Sequence, residues 1–332
     1  MRYLTQAIAG AGGRFKAQAE DFEVEELPAY HPGGEGEHLF VWIEKRGVAT
    51  PEAAKRLAHA LGVPDAPVSW AGLKDAHAVT RQYLCLPAKG AEGALASASV
   101  EGVKLLRWAR HGNKLKNGHL HGNRFRLVLR EVKDAAAAKA SFEVLCARGL
   151  PNFYGEQRFG GHGDNAEKGR ALLLGKLKAK HFERKLWLSA FQSSLFNRVL
   201  DARLDDQTWD VPQLGDVLKK HESGGEFVCA DPAVDAPRAR AFELSPTGPM
   251  YGPSMRAPEG TVAALEARVL ADAEVTLADF EKGGAQTQGT RRLLRVPLGE
   301  PTFEAQGSEV RLSFTLPAGS YATVVLGELI KG

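Results

Sequence analysis

The stretch from Ala71 to Gln82 is polar and lies between two short apolar runs, and this limits the fold more than any other feature. Pro67-Val68-Ser69-Trp70 precedes it and Tyr83-Leu84-Cys85-Leu86-Pro87 follows it. Aliphatic and aromatic runs bounded by proline read as short buried strands. The polar middle is then a loop held at both ends by one sheet. A rigid scaffold that presents Asp75 beside Lys74, His77, Thr80 and Gln82 suits chemistry. Simple solvated turn residues give the same pattern, because Lys and Asp are common in loops.

Strand and helix signals surround this loop. After Arg14-Phe15-Lys16, the segment Glu20 to Leu27 alternates through Phe22 and Val24 as an extended strand. A flexible turn at Gly33 to Glu37 leads into the β-forming run His38 to Lys45. Thr50 as N-cap, Pro51 at the first helical position and Gly62 beyond the end predict a helix. Leu57, Ala58 and Leu61 form its apolar stripe. Val103 to Trp108 and Asn123 to Arg130 read as further strands. In the second, Phe125, Leu127 and Leu129 share one face, and Arg124, Arg126 and Arg130 the other. Asp134 caps a helix that Gly149 closes after Arg148. Helical patterns follow over Asp164 to Leu174 and Phe182 to Leu204. Alternation returns at Val310, Leu312, Phe314 and Leu316.

A chain of 332 residues is long enough for two cores, and 44% hydrophobic with 25% charged residues is ordinary for a globular protein. No apolar run reaches the length of a bilayer span, and the N-terminus lacks a signal-peptide pattern, so a cytoplasmic protein is expected. Cys85, Cys146 and Cys229 are far apart and read as buried thiols. The pairs His119/His121 and His162/Asp164 lack metal-ligand spacing, and no glycine-rich phosphate loop is present, so neither metal nor cofactor is expected. Net charge is only +3, but no acidic residue lies between Glu101 and Glu131. Lys104, Arg107, Arg110, Lys114, Lys116, Arg124, Arg126 and Arg130 all fall there. Such a stretch attracts a phosphate backbone, although a solvated basic face has the same composition.

Gly72-Leu73-Lys74-Asp75-Ala76-His77-Ala78-Val79-Thr80-Arg81-Gln82 resembles the G-x-K-D-x-x-A-x-T-x-Q signature of the tRNA pseudouridine synthase D family. Further segments resemble the same family in the same order. They are the E-D-F-x-V-x-E strand at Glu20, Asn123-Arg124-Phe125, and Asn152 to Gly160 as N-x-x-G-x-Q-R-F-G. Pro246 to Gly252, Gly289 to Arg292 and the closing Leu316 to Leu329 complete the series. Gly327 departs from the family, standing where an arginine is usual.

The resemblance implies an α+β fold. A pseudouridine-synthase-type catalytic domain, with a mixed, largely antiparallel sheet flanked by helices, would span 1–150 and 297–332. An α/β domain would be inserted at 151–296. It implies isomerisation of uridine to pseudouridine in tRNA, at position 13 of the D arm, without a cofactor. Asp75 would be the nucleophile or base and Lys16 its ion-pair partner. Phe22, Asn123, Phe125 and Tyr321 would contact the nucleotide, with Lys74, Thr80 and Gln82 in support. Arg107, Arg110, Lys114, Lys116, Arg124 and Arg126 are the candidates for RNA binding. The partner is tRNA; no membrane or obligate protein partner is apparent, and a monomer is expected. The residues alone also allow Lys16 to be an exposed lysine, and Phe22 and Phe125 to be ordinary core aromatics. A non-catalytic RNA-binding protein of the same fold is the alternative function. A glycoside hydrolase would need two working carboxylates.

Overall fold

The computed structural model describes residues 2–331. In chain order it contains β1 (Phe22–Pro28), β2 (His38–Arg46), α1 (Thr50–Ala60), β3 (Ser69–Trp70), β4 (Val79–Pro87), β5 (Val103–His111) and β6 (Leu120–Leu129). Next come α2 (Ala135–Arg148), β7 (Leu150–Pro151), α3 (Asn165–Leu173), α4 (His181–Asp205), β8 (Val217–Lys220) and β9 (Glu226–Val228). They are followed by α5 (Pro232–Arg240), β10 (Leu244–Met250), α6 (Gly260–Asp272), β11 (Thr290–Leu293) and β12 (Arg295–Val296). The chain closes with β13 (Gly299–Gln306), β14 (Glu309–Pro317) and α7 (Ala322–Ile330). Packing divides the described residues into two compact units. One holds Gly10–Lys139, Leu298–Gly319 and 330–331; the other holds 2–9, Ala140–Pro297 and Ser320–Leu329. Residues 2–9, 140–150 and 320–329 thus pack with the segment 151–296.

The first unit is built on an eight-stranded sheet in the order β13-β14-β6-β1-β4-β2-β5, with β3 against β4. Only β1 and β4 pair in parallel; the sheet is mixed and largely antiparallel. Cross-strand partners share a face, so the register defines a row Lys45–Thr80–Val24–Phe125–Phe314. On that face Leu39, Val41, Ile43, Leu84 and Leu86 pack with Ala53, Ala54, Leu57 and Leu61 of the α1 segment in one core. The opposite face carries the row Glu44–Arg81–Glu25–Arg124, and Phe40, Trp42, Tyr83 and Cys85 with Leu115.

Strand β4 begins at Val79, inside the polar stretch read above as loop. Thr80 and Gln82 are buried on the sheet because main-chain pairing to β1 and β2 sets their backbone, and polarity does not prevent it. The N-cap of α1 is Ala49, not Thr50, and makes no side-chain cap bond. The Thr50 hydroxyl is used elsewhere, as described below. The other helix expectations hold to within a residue at each end: α2 starts after Asp134, whose Oδ1 accepts from Ala137 N at 2.9 Å.

In the second unit α3 packs on α4, and Leu172, Leu188, Phe191, Leu195, Tyr251 and Phe280 join one core. Beside it stands a four-stranded antiparallel sheet, β11-β10-β8-β9. The fully buried Arg291 guanidinium bonds Glu266 at 2.7 and 2.9 Å and Thr247 O at 2.8 Å, so its charge is matched inside the unit.

Strands β6 and β14 approach closely at Gly122, where a Cβ would stand 2.1 Å from Leu316 O. Gly122→Ala is expected to cost about 1–3 kcal/mol in urea unfolding, because the two main chains must separate beside Asn123.

Candidate active site

The loop between β3 and β4 is fixed by its backbone. Gly118 N donates to Ala71 O at 2.8 Å, and Gln82 Nε2 donates to Gly72 O at 3.1 Å. Lys74 N donates to Thr50 Oγ1 at 3.0 Å, and the Thr50 hydroxyl in turn donates to Gln82 Oε1 at 2.9 Å. Lys45 Nζ donates to Asp75 O at 2.8 Å and to Val48 O at 2.7 Å. The turn before β6, β4, α1 and β2 therefore each hold one part of it. Asp75 is presented by a framework and not by a free tip.

The Asp75 carboxylate, 30% exposed, pairs directly with the Lys16 ammonium, 22% exposed. His77 N donates to its other oxygen at 2.9 Å. Burial pushes the Asp75 pKa up, but the Lys16 hydrogen bond, the His77 N–H and the nearby positive charge outweigh it, so the carboxyl titrates below its ordinary value of 3.8. Lys16 reaches this position from a left-handed backbone, φ 57°, which costs a non-glycine residue about 1–2 kcal/mol. The ion pair and the contact with Phe22 offset that strain.

Lys16 Nζ lies 4.4 Å from the centroid of the Phe22 ring, and Phe22 meets Phe125 edge-on at 6.3 Å. Phe125 in turn packs on Phe314 at 5.6 Å. The structure thus brings Asp75, Lys16, Phe22 and Phe125 together on one face of the sheet. Asn123, two residues before Phe125, shares that face. Its Oδ1 and the hydroxyl of Thr80 are buried polar atoms without a hydrogen-bond partner. Unpaired buried polar groups are costly, so these two call for an explanation.

Lys74 does not face Asp75. Its ammonium pairs with Glu26 Oε2 at 2.7 Å with both side chains buried, while Glu26 Oε1 accepts from Tyr83 N at 3.4 Å. Glu26, Thr50 and Lys45 are structural partners of the site that sequence reasoning missed. Lys45 is fully buried, and burial presses its pKa down to about 8, with the Asp75 charge opposing the shift and the Lys74 charge adding to it.

The candidate RNA-binding residues divide by environment. Arg124 and Arg126 lie on the face opposite Phe125 and are paired, Arg124 with Glu300 and Arg126 with Glu25. Arg110 pairs with Glu92, and Arg107 lies over the Trp42 ring at 5.2 Å. Lys114 and Lys116 are exposed in the turn between β5 and β6.

Tyr321 belongs to the other unit. It meets Tyr154 edge-on at 6.0 Å, and a Cβ at Gly155 would stand 3.4 Å from its ring. Burial raises its phenol pKa, opposed by Arg158 and Arg292. The Arg292 guanidinium lies 4.0 Å from the Tyr154 centroid and donates to Asn152 Oδ1 at 2.7 Å. Asn152 Oδ1 also accepts from Ser320 at 2.9 Å, tying the N-x-x-G segment to the residue before Tyr321. Among the described residues no cluster of His, Cys, Asp and Glu could hold a metal ion, and no helix is long and apolar enough to cross a membrane.

A carboxylate paired with a lysine and bordered by aromatic rings on a mixed sheet is an arrangement that suits acid–base or nucleophilic chemistry. The family model described as tRNA pseudouridine synthase D (TruD) matches residues 1–183 and 180–329. The tRNA pseudouridine synthase D of an Anaeromyxobacter species is 47% identical over 335 aligned residues, covering 99% of this chain and 95% of that protein. The protein of the same name from Thermus thermophilus is 41% identical, covering 99% and 92%. A crystal structure from Methanosarcina mazei, described under the same family name, superposes with a TM-score of 0.77 at 23% identity, covering 100% of this chain and 96% of that one. That structure supports the fold. The chain belongs to the tRNA pseudouridine synthase D family.

Lys45 gives a pH test of the loop framework. Below about 8 the native and unfolded chains both hold its proton; between about 8 and the ordinary 10.5 only the unfolded chain does. Stability should therefore rise with pH in that window, by at most about 1.4 kcal/mol per pH unit. Lys45→Met should lack the rise when the two proteins are compared by urea unfolding from pH 7 to 10.5.

Proposed function

We propose that the chain isomerises uridine to pseudouridine at position 13 of the D arm of tRNA, with Asp75 as the reacting carboxylate. As a member of the tRNA pseudouridine synthase D family the chain is an isomerase. The observation that carries the assignment of Asp75 is its direct ion pair with Lys16 above the Phe22 ring. The reaction breaks the N1–C1′ bond, turns the uracil and joins C5 to C1′; the C5 proton is lost and N1 regains one. It requires a carboxylate that is ionised before substrate arrives. Lys16, with the His77 N–H, holds the Asp75 pKa below its ordinary value against the upward push of burial.

From an ionised Asp75 two routes lead forward, attack on C1′ or removal of the C2′ proton to give a glycal. Both need the uridine turned out of its stack, at a cost of a few kcal/mol. Stacking on an aromatic ring returns about 1–3 kcal/mol per base. Phe22 and Phe125 are buried, 4% and 6% exposed, and back the site from the core; their part in holding the detached uracil is assigned on the family motif. Asn123 Oδ1 is the acceptor for a uracil N–H. Tyr321 is assigned to the substrate on its family motif alone. Lys114 and Lys116 are the basic contacts favoured for the phosphate backbone, since Arg110, Arg124 and Arg126 are already paired with acids. The chain acts as a cytoplasmic monomer.

Asp75→Asn tests the assignment. Pseudouridine mapping by carbodiimide primer extension on treated tRNA should show at least about a thousandfold loss, with tRNA affinity kept. Modification at the normal rate would remove Asp75 from the reaction. A non-catalytic RNA-binding protein would instead bind tRNA and leave it unmodified even as wild type.

A further inference from the structure

Leu73 is 69% exposed although it sits two residues from Asp75 in a loop whose backbone is held at Ala71, Gly72, Lys74 and Asp75. Its neighbours Ala71 and Lys74 are buried. Folding thus places one leucine rigidly in water and leaves it there. A single exposed leucine needs no explanation on an ordinary surface; this one is two residues from the carboxylate assigned to the reaction. The other chain segment of the ion pair repeats the feature, since Phe15, next to Lys16, is 39% exposed. A protein partner seated on this apolar spot would cover Asp75. The substrate itself is the occupant that fits.

We propose, resting on the reading that Asp75 acts on an everted uridine, that Leu73 is a wedge that enters the RNA base stack where the target nucleotide leaves it. Two residues of chain span at most about 7 Å, so a side chain at Leu73 remains beside a nucleotide whose sugar has reached Asp75. Proteins that unstack nucleic acids insert apolar side chains such as leucine between bases, where they take over part of the lost stacking surface. The clamped backbone makes the leucine effective, because a mobile loop would yield to the stack and this one transmits the push. No bond is made or broken by Leu73; it acts on the population of the everted state.

The test compares two RNAs under single-turnover conditions. One is a folded substrate tRNA. The other carries a changed nucleotide opposite the target, so that the uridine is unpaired from the start. Leu73→Ala should be about tenfold slower on the folded tRNA and within about twofold of wild type on the pre-opened one. Leu73→Phe should stay near wild type on both, since it keeps apolar bulk. The unfolding midpoint of Leu73→Ala should equal that of wild type, as expected for an exposed side chain. Wild-type speed of Leu73→Ala on the folded tRNA, an equal loss on both RNAs, or a lowered midpoint would each overturn the wedge. Asp75→Asn is run beside it: activity in that variant contradicts the Asp75 reading, whatever Leu73 does.

Discussion

The ion pair between Lys16 and Asp75 is the interaction on which the site depends. Asp75 is partly withdrawn from water, and withdrawal alone would raise its pKa, toward the neutral acid. A neutral acid has no lone charge with which to attack a sugar carbon or take a proton from one. The ammonium reverses the balance, and it does so from a strained backbone position, which shows that the surrounding fold holds it in place. Phe22 lies under that ammonium, so one lysine contacts both the carboxylate and the ring.

The remaining architecture keeps that pair in register. Strand β4 changes neighbours along its length, pairing with β1 at Val79 to Arg81 and with β3 at Leu84 and Cys85. The Asp75 loop springs from the point where one neighbour replaces the other. Buried polar side chains then secure it. Thr50, Gln82 and Lys45 bond its main chain, and the Lys74–Glu26 pair anchors it to the core. Such groups contribute little as general stabilisers, since burying them is costly; their return is a fixed geometry. The face that carries Phe22 and Phe125 borders the Asp75–Lys16 pair, and the other carries a ladder of alternating charges at Glu44, Arg81, Glu25 and Arg124.

Much of this was legible in the sequence. Alternation placed Phe125, Leu127 and Leu129 on one face, and the helix punctuation at Asp134 and Gly149 located α2. Family membership, the α+β fold with its mixed sheet and the isomerase assignment followed from the ordered motifs. Other features could not be read locally. Lys16 and Asp75 are distant in the chain, and only the resemblance joined them. Thr80 and Gln82 read as loop because their polarity hides a buried strand. Thr50 read as a helix cap by type, but tertiary contact gave its hydroxyl to Lys74 and Gln82. Lys45 ended an apolar run as a surface lysine would, and nothing local reveals that its ammonium turns inward to main-chain carbonyls. The arginines of β6 were correctly assigned to one face, while the acids that neutralise them come from β1 and the strand after Pro297, beyond any local window.

The account's central claim is that Lys16 holds the Asp75 pKa below the ordinary aspartate value before substrate binds. The most direct check is a carbon-detected NMR titration of the Asp75 carboxyl in the free protein and in Lys16→Met. The account predicts a midpoint below 3.8 in the native chain, because that is where the lysine outweighs burial, and a higher midpoint once the ammonium is gone. A native midpoint at or above the ordinary aspartate value, or one indifferent to Lys16, would contradict it.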